Sequence, residues 1–92
     1  MAAASVEIWW SKRAREDIAY WRKRDAAITA RIESLIEDIK RSPFTGLGKP
    51  EPLKHSLTGF WSRRITKEHR LVYRVETGTI YIAQCRFHYD KR

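Results

Sequence analysis

The chain has 92 residues, of which 42% are hydrophobic and one is a cysteine. This length predicts a single domain, residues 1–92, with one hydrophobic core, and the lone cysteine excludes an intramolecular disulfide framework. Nineteen Lys and Arg residues against eleven Asp and Glu give a net charge of +8, which favours a polyanionic partner such as nucleic acid.

The positive charge is concentrated in the C-terminal half of the chain. Residues 49–92 contain ten Lys/Arg and four Asp/Glu, a balance of +6, whereas residues 1–48 have a balance of +2. A basic surface that serves only solubility is the alternative interpretation. The chain has no apolar run of membrane-spanning length, and alanine-rich residues 1–5 lack the features of a signal peptide. We therefore expect a cytoplasmic protein with no membrane contact and a flexible N-terminal extension over residues 1–5.

The N-terminal half predicts one strand followed by two helices. The apolar run at residues 6–10 is typical of a strand, and Ser11 is a candidate N-cap for a helix that ends near Arg24. Asp25 is the candidate cap of a second helix, which Pro43 ends because the residue before proline disfavours helical geometry. Five apolar residues recur at helical spacing in this second helix: Ile28, Ile32, Leu35, Ile36 and Ile39.

A proline-rich loop at residues 44–53 presents one acidic residue among basic neighbours. Pro50 and Pro52 flank Glu51, and each proline restricts the residue before it to extended conformations. Lys49 and Lys54 lie close by in the sequence and favour an ionised Glu51. A lone loop glutamate is commonly a solvated charge, so the position of Glu51 does not by itself establish a functional role.

The C-terminal third predicts three antiparallel strands, at residues 60–65, 69–75 and 79–89. β-Branched and aromatic residues dominate these runs, and short turns separate them. Alternation places Leu71, Tyr73 and Val75 on one face of the middle strand. In the third strand it places Tyr81, Ala83, Cys85 and Phe87 on one face and Gln84, Arg86 and His88 on the other. The predicted fold is α+β, with two helices on one face of a small, mainly antiparallel sheet. The opposite face would then be basic, with Arg64, Arg70, Arg86 and His88.

Four sequence segments closely resemble the YoeB toxins of the RelE/ParE toxin–antitoxin superfamily. They are Lys49-Pro-Glu-Pro-Leu-Lys-His55, Gly59-Phe-Trp-Ser-Arg-Arg-Ile-Thr66, Glu68-His-Arg-Leu-Val-Tyr73 and Ala83-Gln-Cys-Arg-Phe-His-Tyr89. The resemblance implies two N-terminal helices against a sheet, and cleavage of mRNA in the ribosomal A site. It also implies neutralisation by a YefM-type antitoxin, and homodimers.

The resemblance also assigns roles to particular residues. The catalytic residues of the family match Glu51, Arg70, His88 and Tyr89, and its RNA contacts match Lys54 and Arg64. Lys49, a basic neighbour of Glu51, and Arg86, on the predicted basic face, are two further candidate RNA-binding residues. Considered alone, His88 would be a surface histidine near a terminus and Arg70 a solvated strand residue.

The residue types suit RNA cleavage without a metal ion or other cofactor. RNA supplies its own nucleophile, the 2′-OH, so the protein has to provide a base, an acid and a cation for the charged phosphorane. Glu51, His88 and Arg70 are residues of these three types, and no His, Cys and carboxylate residues have metal-ligand spacing. Two alternatives remain: a ParE-like toxin that acts on DNA gyrase, and a simple nucleic-acid-binding module. Neither requires Glu51 together with His88.

Overall fold

A computed structural model describes residues 5–88, and in this range a five-stranded sheet and two helices form the fold. The elements in chain order are β1 (Glu7–Trp10), α1 (Lys12–Arg24), α2 (Ala26–Arg41), β2 (Glu51–Pro52), a short 3₁₀ helix (His55–Leu57), β3 (Trp61–Arg64), β4 (Arg70–Glu76) and β5 (Thr79–Gln84). The strand order is β1-β5-β4-β3-β2. The α+β prediction is confirmed, whereas the N-terminal extension before Ser5 lies outside the described residues.

Side-chain caps define where the helices begin, as the sequence predicts. The Ser11 hydroxyl accepts a hydrogen bond from the Ala14 N–H at 2.9 Å, and Asp25 Oδ1 accepts one from the Ile28 N–H at 3.0 Å. Each bond satisfies a donor that the first helical turn leaves unpaired. α2 ends at Arg41, two residues before the proline.

The sheet is antiparallel except at one edge, where β1 pairs in parallel with β5. β2 forms the other edge, where Pro52 lies opposite Trp61 and Glu51 lies opposite Ser62. Sequence reasoning expected an extended segment here but not a strand. A two-residue pairing with a distant strand has no signature of its own in the local sequence.

The core lies between the two helices and one face of the sheet. The predicted apolar stripe of α2 is largely buried, and Leu71 and Tyr73 of β4 are fully buried against it. The core residues are Ala14, Ile18, Trp21, Ile32, Leu35, Ile36, Ile39, Ile65, Leu71, Tyr73, Ile80, Ile82 and Cys85. We call the opposite surface of the sheet the open face.

The predicted third strand was wrong in its length and in one of its faces. β5 ends at Gln84, and a register shift opposite Val72 and Tyr73 interrupts its alternation. Tyr81 therefore lies opposite Arg74, and Gln84 opposite Val72, both on the open face. Cys85 packs in the core, so it does not share a face with Tyr81. A β-bulge of this kind reverses the alternation after it, which a strict two-residue period does not anticipate.

Candidate active site

Two adjacent rows of residues cross the open face and bring several predicted site residues together. The strand register aligns the first row in the order Glu51, Ser62, Val72, Gln84. Arg64 and Arg70 lie opposite each other in the second row, two residues further along their strands. With neighbouring strands about 4.8 Å apart, the Cα atom of Glu51 is about 8 Å from that of Arg64 and about 12 Å from that of Arg70. The side chains of glutamate and arginine are long enough to bridge such Cα separations.

Glu51 lies at the exposed end of its row. Its side chain makes no hydrogen bond or ion pair with another of residues 5–88, so its carboxylate is accessible to an incoming group. Pro52 lacks an N–H, which is tolerated because β2 is an edge strand. Lys49 and Lys54, on either side of this short strand, are also exposed. An acidic side chain thus stands among exposed cations at the rim of the open face.

A buried arginine that the sequence analysis did not single out holds the loop before Glu51. Arg63 is fully buried on the core side of β3, and all five of its guanidinium N–H groups have acceptors. These bonds run to Tyr73 Oη (3.1 Å), Asp38 Oδ2 (2.6 Å), and the carbonyls of Leu47 (3.1 Å), Ser42 (2.5 Å) and Thr45 (2.8 Å). The network ties α2, β3 and β4 to the loop that leads into β2.

Asp38 is the carboxylate partner in this network. Its Oδ2 also accepts the Leu47 N–H at 2.9 Å, and this bond, together with Arg63, lowers the pKa of Asp38 to about 2. The carboxylate therefore stays ionised at neutral pH. The sequence held one clue to this network, which is the position of its two charged residues. Asp38 lies between apolar core positions of α2, and Arg63 lies at a core-facing position of β3.

Two glycines let this loop approach the core closely. Gly46 has φ +113°, and a Cβ there would lie 2.2 Å from the Asp38 carboxylate. Gly48 has φ +79°, and a Cβ there would lie 3.1 Å from the Arg64 backbone nitrogen. The Gly48 carbonyl accepts the Arg64 N–H at 2.7 Å, which joins the loop to β3 just beside Glu51.

Backbone carbonyls fix the Arg70 side chain from one side. Its Nη1 donates to the carbonyls of Thr66 (3.1 Å), Lys67 (3.1 Å) and His69 (3.3 Å), and only 8% of the residue is exposed. Nε and Nη2 make no hydrogen bond within residues 5–88, and neither is completely buried. An arginine held from one side with donors left over is suited to bind an anion such as a phosphate.

The segment after β5 is held by α1 and by the start of β4. The Cys85 N–H donates to Asp17 Oδ2 at 3.0 Å, and the Cys85 carbonyl accepts the Trp21 indole N–H at 2.8 Å. The Arg70 N–H donates to the Phe87 carbonyl at 3.1 Å. His88, which is half-buried, follows immediately, so its backbone is next to that of Arg70.

The structure separates Arg86 from the other predicted site residues. Its guanidinium lies 3.5 Å from the ring centroid of Tyr20 on α1 and 4.5 Å from that of Phe87. The expectation that Arg86 shares the open face with Arg64 and Arg70 was wrong, because β5 ends before it and the chain turns toward α1. Tyr89 lies outside the described residues.

Cys85 is a packed core residue, as the sequence analysis predicted. Its side chain is fully buried, and burial raises the pKa of the thiol to about 12. A thiol that stays protonated is a poor nucleophile. Within residues 5–88, no three His, Cys, Asp or Glu side chains are grouped as metal ligands, and no helix is long and apolar enough to cross a membrane.

Comparisons with known proteins agree with this fold. Residues 10–89 match the family model of the YoeB-like toxin of bacterial type II toxin–antitoxin systems. Toxin YoeB of Escherichia coli K12 is 54% identical over 84 residues, which cover 91% of this chain and 100% of that protein. A YoeB dimer from Staphylococcus aureus has a TM-score of 0.87 and 45% identity, and covers 94% of this chain and 100% of its own. A YoeB–YefM complex from the same organism has a TM-score of 0.86 and 44% identity with the same coverage. The chain therefore belongs to the YoeB-like toxins of bacterial type II toxin–antitoxin systems.

Proposed function

We propose that this toxin is an endoribonuclease that cuts mRNA in the ribosomal A site and so stops translation. The observation that supports it best lies on the open face. Within residues 5–88 the Glu51 side chain has no partner and Arg70 Nε and Nη2 make no hydrogen bond, and the Cα atoms of these two residues are about 12 Å apart. His88 follows the residue that is hydrogen-bonded to Arg70. The substrate would lie between the side chains of Glu51, Arg70 and His88.

In the proposed mechanism, Glu51 removes the proton of the RNA 2′-OH, which then attacks the adjacent phosphorus. Arg70 stabilises the negative charge of the phosphorane through Nε and Nη2, and Arg64 and Lys54 assist. Protonated His88 donates a proton to the departing 5′-oxygen. The products are a 2′,3′-cyclic phosphate and a free 5′-OH, and the residues require no metal ion. Tyr89 stacks on or hydrogen-bonds to the substrate, while Lys49 contributes positive charge.

Two partners are proposed alongside the ribosome and its mRNA. A YefM-type antitoxin is supported by the complex of the Staphylococcus aureus relative. An acidic segment that folds over the open face would cover Glu51 and Arg70. A homodimer is supported by the dimer of that same relative. The site of action places the protein in the cytoplasm.

The decisive experiment incubates the purified toxin with translating ribosomes and maps the new mRNA ends. We expect cuts with a 2′,3′-cyclic phosphate and a 5′-OH, no cleavage when the cut position carries a 2′-deoxy nucleotide, and no cleavage when a cognate YefM-type antitoxin is bound. EDTA should leave the chemical step unchanged if the magnesium of the ribosome is preserved. A 5′-phosphate product, or cleavage of the 2′-deoxy substrate, would overturn the mechanism. Intact mRNA together with inhibited DNA gyrase would favour the ParE-like alternative.

Binding to the ribosome should weaken strongly as salt rises. The surplus of +6 in residues 49–92 supplies cations that can neutralise phosphates and release counterions, among them Lys49, Lys54, Arg64 and Arg70. About five such contacts predict a slope of about −4 for the logarithm of the binding constant against the logarithm of the salt concentration. Titration of ribosome binding across monovalent salt measures this slope. A flat response would contradict the electrostatic contribution.

A further inference from the structure

His69 joins the start of β4 to the segment that carries His88. The Phe87 N–H donates to His69 Nδ1 at 2.7 Å, while the Arg70 N–H donates to the Phe87 carbonyl at 3.1 Å. The backbone N–H and carbonyl of Phe87 are therefore both hydrogen-bonded, the first to His69 and the second to Arg70. Because Nδ1 accepts a hydrogen bond, the imidazole is neutral and its proton is on Nε2.

The backbone at Phe87 needs such support. Its φ is +65°, in the left-handed region that residues with a Cβ seldom adopt. The two hydrogen bonds from β4 hold this conformation in place. Phe87 itself is 40% exposed, so packing of its side chain contributes less than in the core.

The His69 ring is itself fixed by aromatic neighbours. It packs edge-on against Trp21 of α1, with ring centroids 4.8 Å apart, and tilted against Phe87 at 5.9 Å. Trp21 also binds the Cys85 carbonyl, so α1, β4 and the segment after β5 meet at this ring. A change at His69 is thus transmitted to the backbone next to His88.

We infer that neutral His69 is a positioning residue for the cleavage reaction, because it holds the Phe87 backbone and thereby orients His88 beside Arg70. Protonation of Nδ1 removes the acceptor and releases this segment. The inference rests on the proposed function, in which His88 is the general acid. His69 acts through Phe87 and does not touch the substrate.

Charged groups around His69 determine the pH range of this effect. Burial lowers the pKa of His69 from its ordinary value of 6.5, and Arg86 adds to this, whereas the Glu68 carboxylate, 3.8 Å from Nε2, and Asp17 oppose it. The folded protein therefore binds the proton less readily than the unfolded chain. The stability that neutral His69 contributes is complete above about pH 6.5 and is lost as the pH falls through the lower folded pKa.

Two variants separate the acceptor from the ring. His69→Asn keeps a carbonyl oxygen near the position of Nδ1 but cannot be protonated, whereas His69→Phe keeps the ring against Trp21 but has no acceptor. We expect His69→Phe to lower kcat of cleavage by roughly 10²-fold with little change in KM, because misplacing a catalytic group slows the reaction without weakening binding. His69→Asn should keep most of the activity, and its rate should decline less than that of the wild type between about pH 7 and about pH 5. Chemical denaturation of both variants checks that they fold.

NMR of the wild-type toxin tests the hydrogen bond independently of catalysis. The Phe87 amide resonance should move, and its protection from hydrogen exchange should fall, with the same apparent pKa as the His69 ring. A Phe87 amide that does not respond while His69 titrates would overturn the inference, as would a folded His69→Phe variant that cleaves at the wild-type rate. If the wild type cleaves no RNA at all, the proposed function fails, and the amide titration still decides whether His69 holds this segment.

Discussion

The Glu51→Gln variant is expected to cleave mRNA about 10²–10⁴-fold more slowly than the wild type in single-turnover reactions, because glutamine cannot accept the proton of the 2′-OH. The substitution changes one atom of an exposed side chain that makes no hydrogen bond or ion pair within the described part of the chain. Stability and ribosome binding should therefore be nearly unchanged. Loss of rate without loss of binding is the signature of a group that acts in the chemical step.

A matched control is available on α2. Glu33 is also exposed and forms no ion pair in residues 5–88, so Glu33→Gln makes the same chemical change away from the open face. This variant should cleave at the wild-type rate. Cleavage by Glu51→Gln at the rate of Glu33→Gln would exclude Glu51 as the general base and leave His88 and Arg70 to be tested on other grounds.

The helical layer of this fold was predictable because its signals are local. Ser11 and Asp25 are capping residues that act within three residues of their own position, and Pro43 acts on the residue before it. The alternation of β4 was equally readable, since Leu71, Tyr73 and Val75 face the core as expected. In each case the information lies within one turn or one strand.

The parts that sequence reasoning missed depend on contacts between distant segments. β1 pairs with β5, about seventy residues later, and β2 is a strand only because β3 lies beside it. β5 ends at Gln84 because Asp17 and Trp21 bind the backbone of Cys85 in place of a neighbouring strand. Periodicity within one segment does not reveal partners of this kind.

The candidate site likewise has parts that local sequence predicts and parts that depend on contacts between distant segments. The extended conformation at Glu51 and the shared face of Arg64 and Arg70 followed from proline geometry and strand alternation. The side of the sheet on which Arg86 lies could not be predicted in this way, because it depends on where β5 ends. The contribution of Arg63 was hidden for a different reason: an arginine in a basic strand resembles its exposed neighbours until its five acceptors are known.

The Arg63→Met variant should lose about 3–5 kcal/mol of the free energy of unfolding, because it removes the partner of a buried charge and leaves three loop carbonyls without their donors. Arg64→Met is the matched control on the next residue. The Arg64 side chain is exposed, so this change should alter stability by less than about 0.5 kcal/mol while weakening RNA binding. Urea denaturation of both variants measures the difference.

Loss of the Arg63 network should change both the position of Glu51 and the way in which stability depends on acid pH. The loop that Arg63 holds leads directly into β2, so Arg63→Met should also slow cleavage under conditions in which the variant is still folded. Asp38 has a pKa of about 2 against an ordinary 3.8, and the stability from its ionised form is lost as the pH falls between these values. Arg63→Met removes one cause of that low pKa, so the folded and unfolded pKa values of Asp38 should lie closer together, and the part of the stability that Asp38 loses in acid should be smaller than in the wild type. Equal denaturation midpoints for Arg63→Met and Arg64→Met would show that the buried guanidinium contributes no net stability, and would remove it as the anchor of the Glu51 loop.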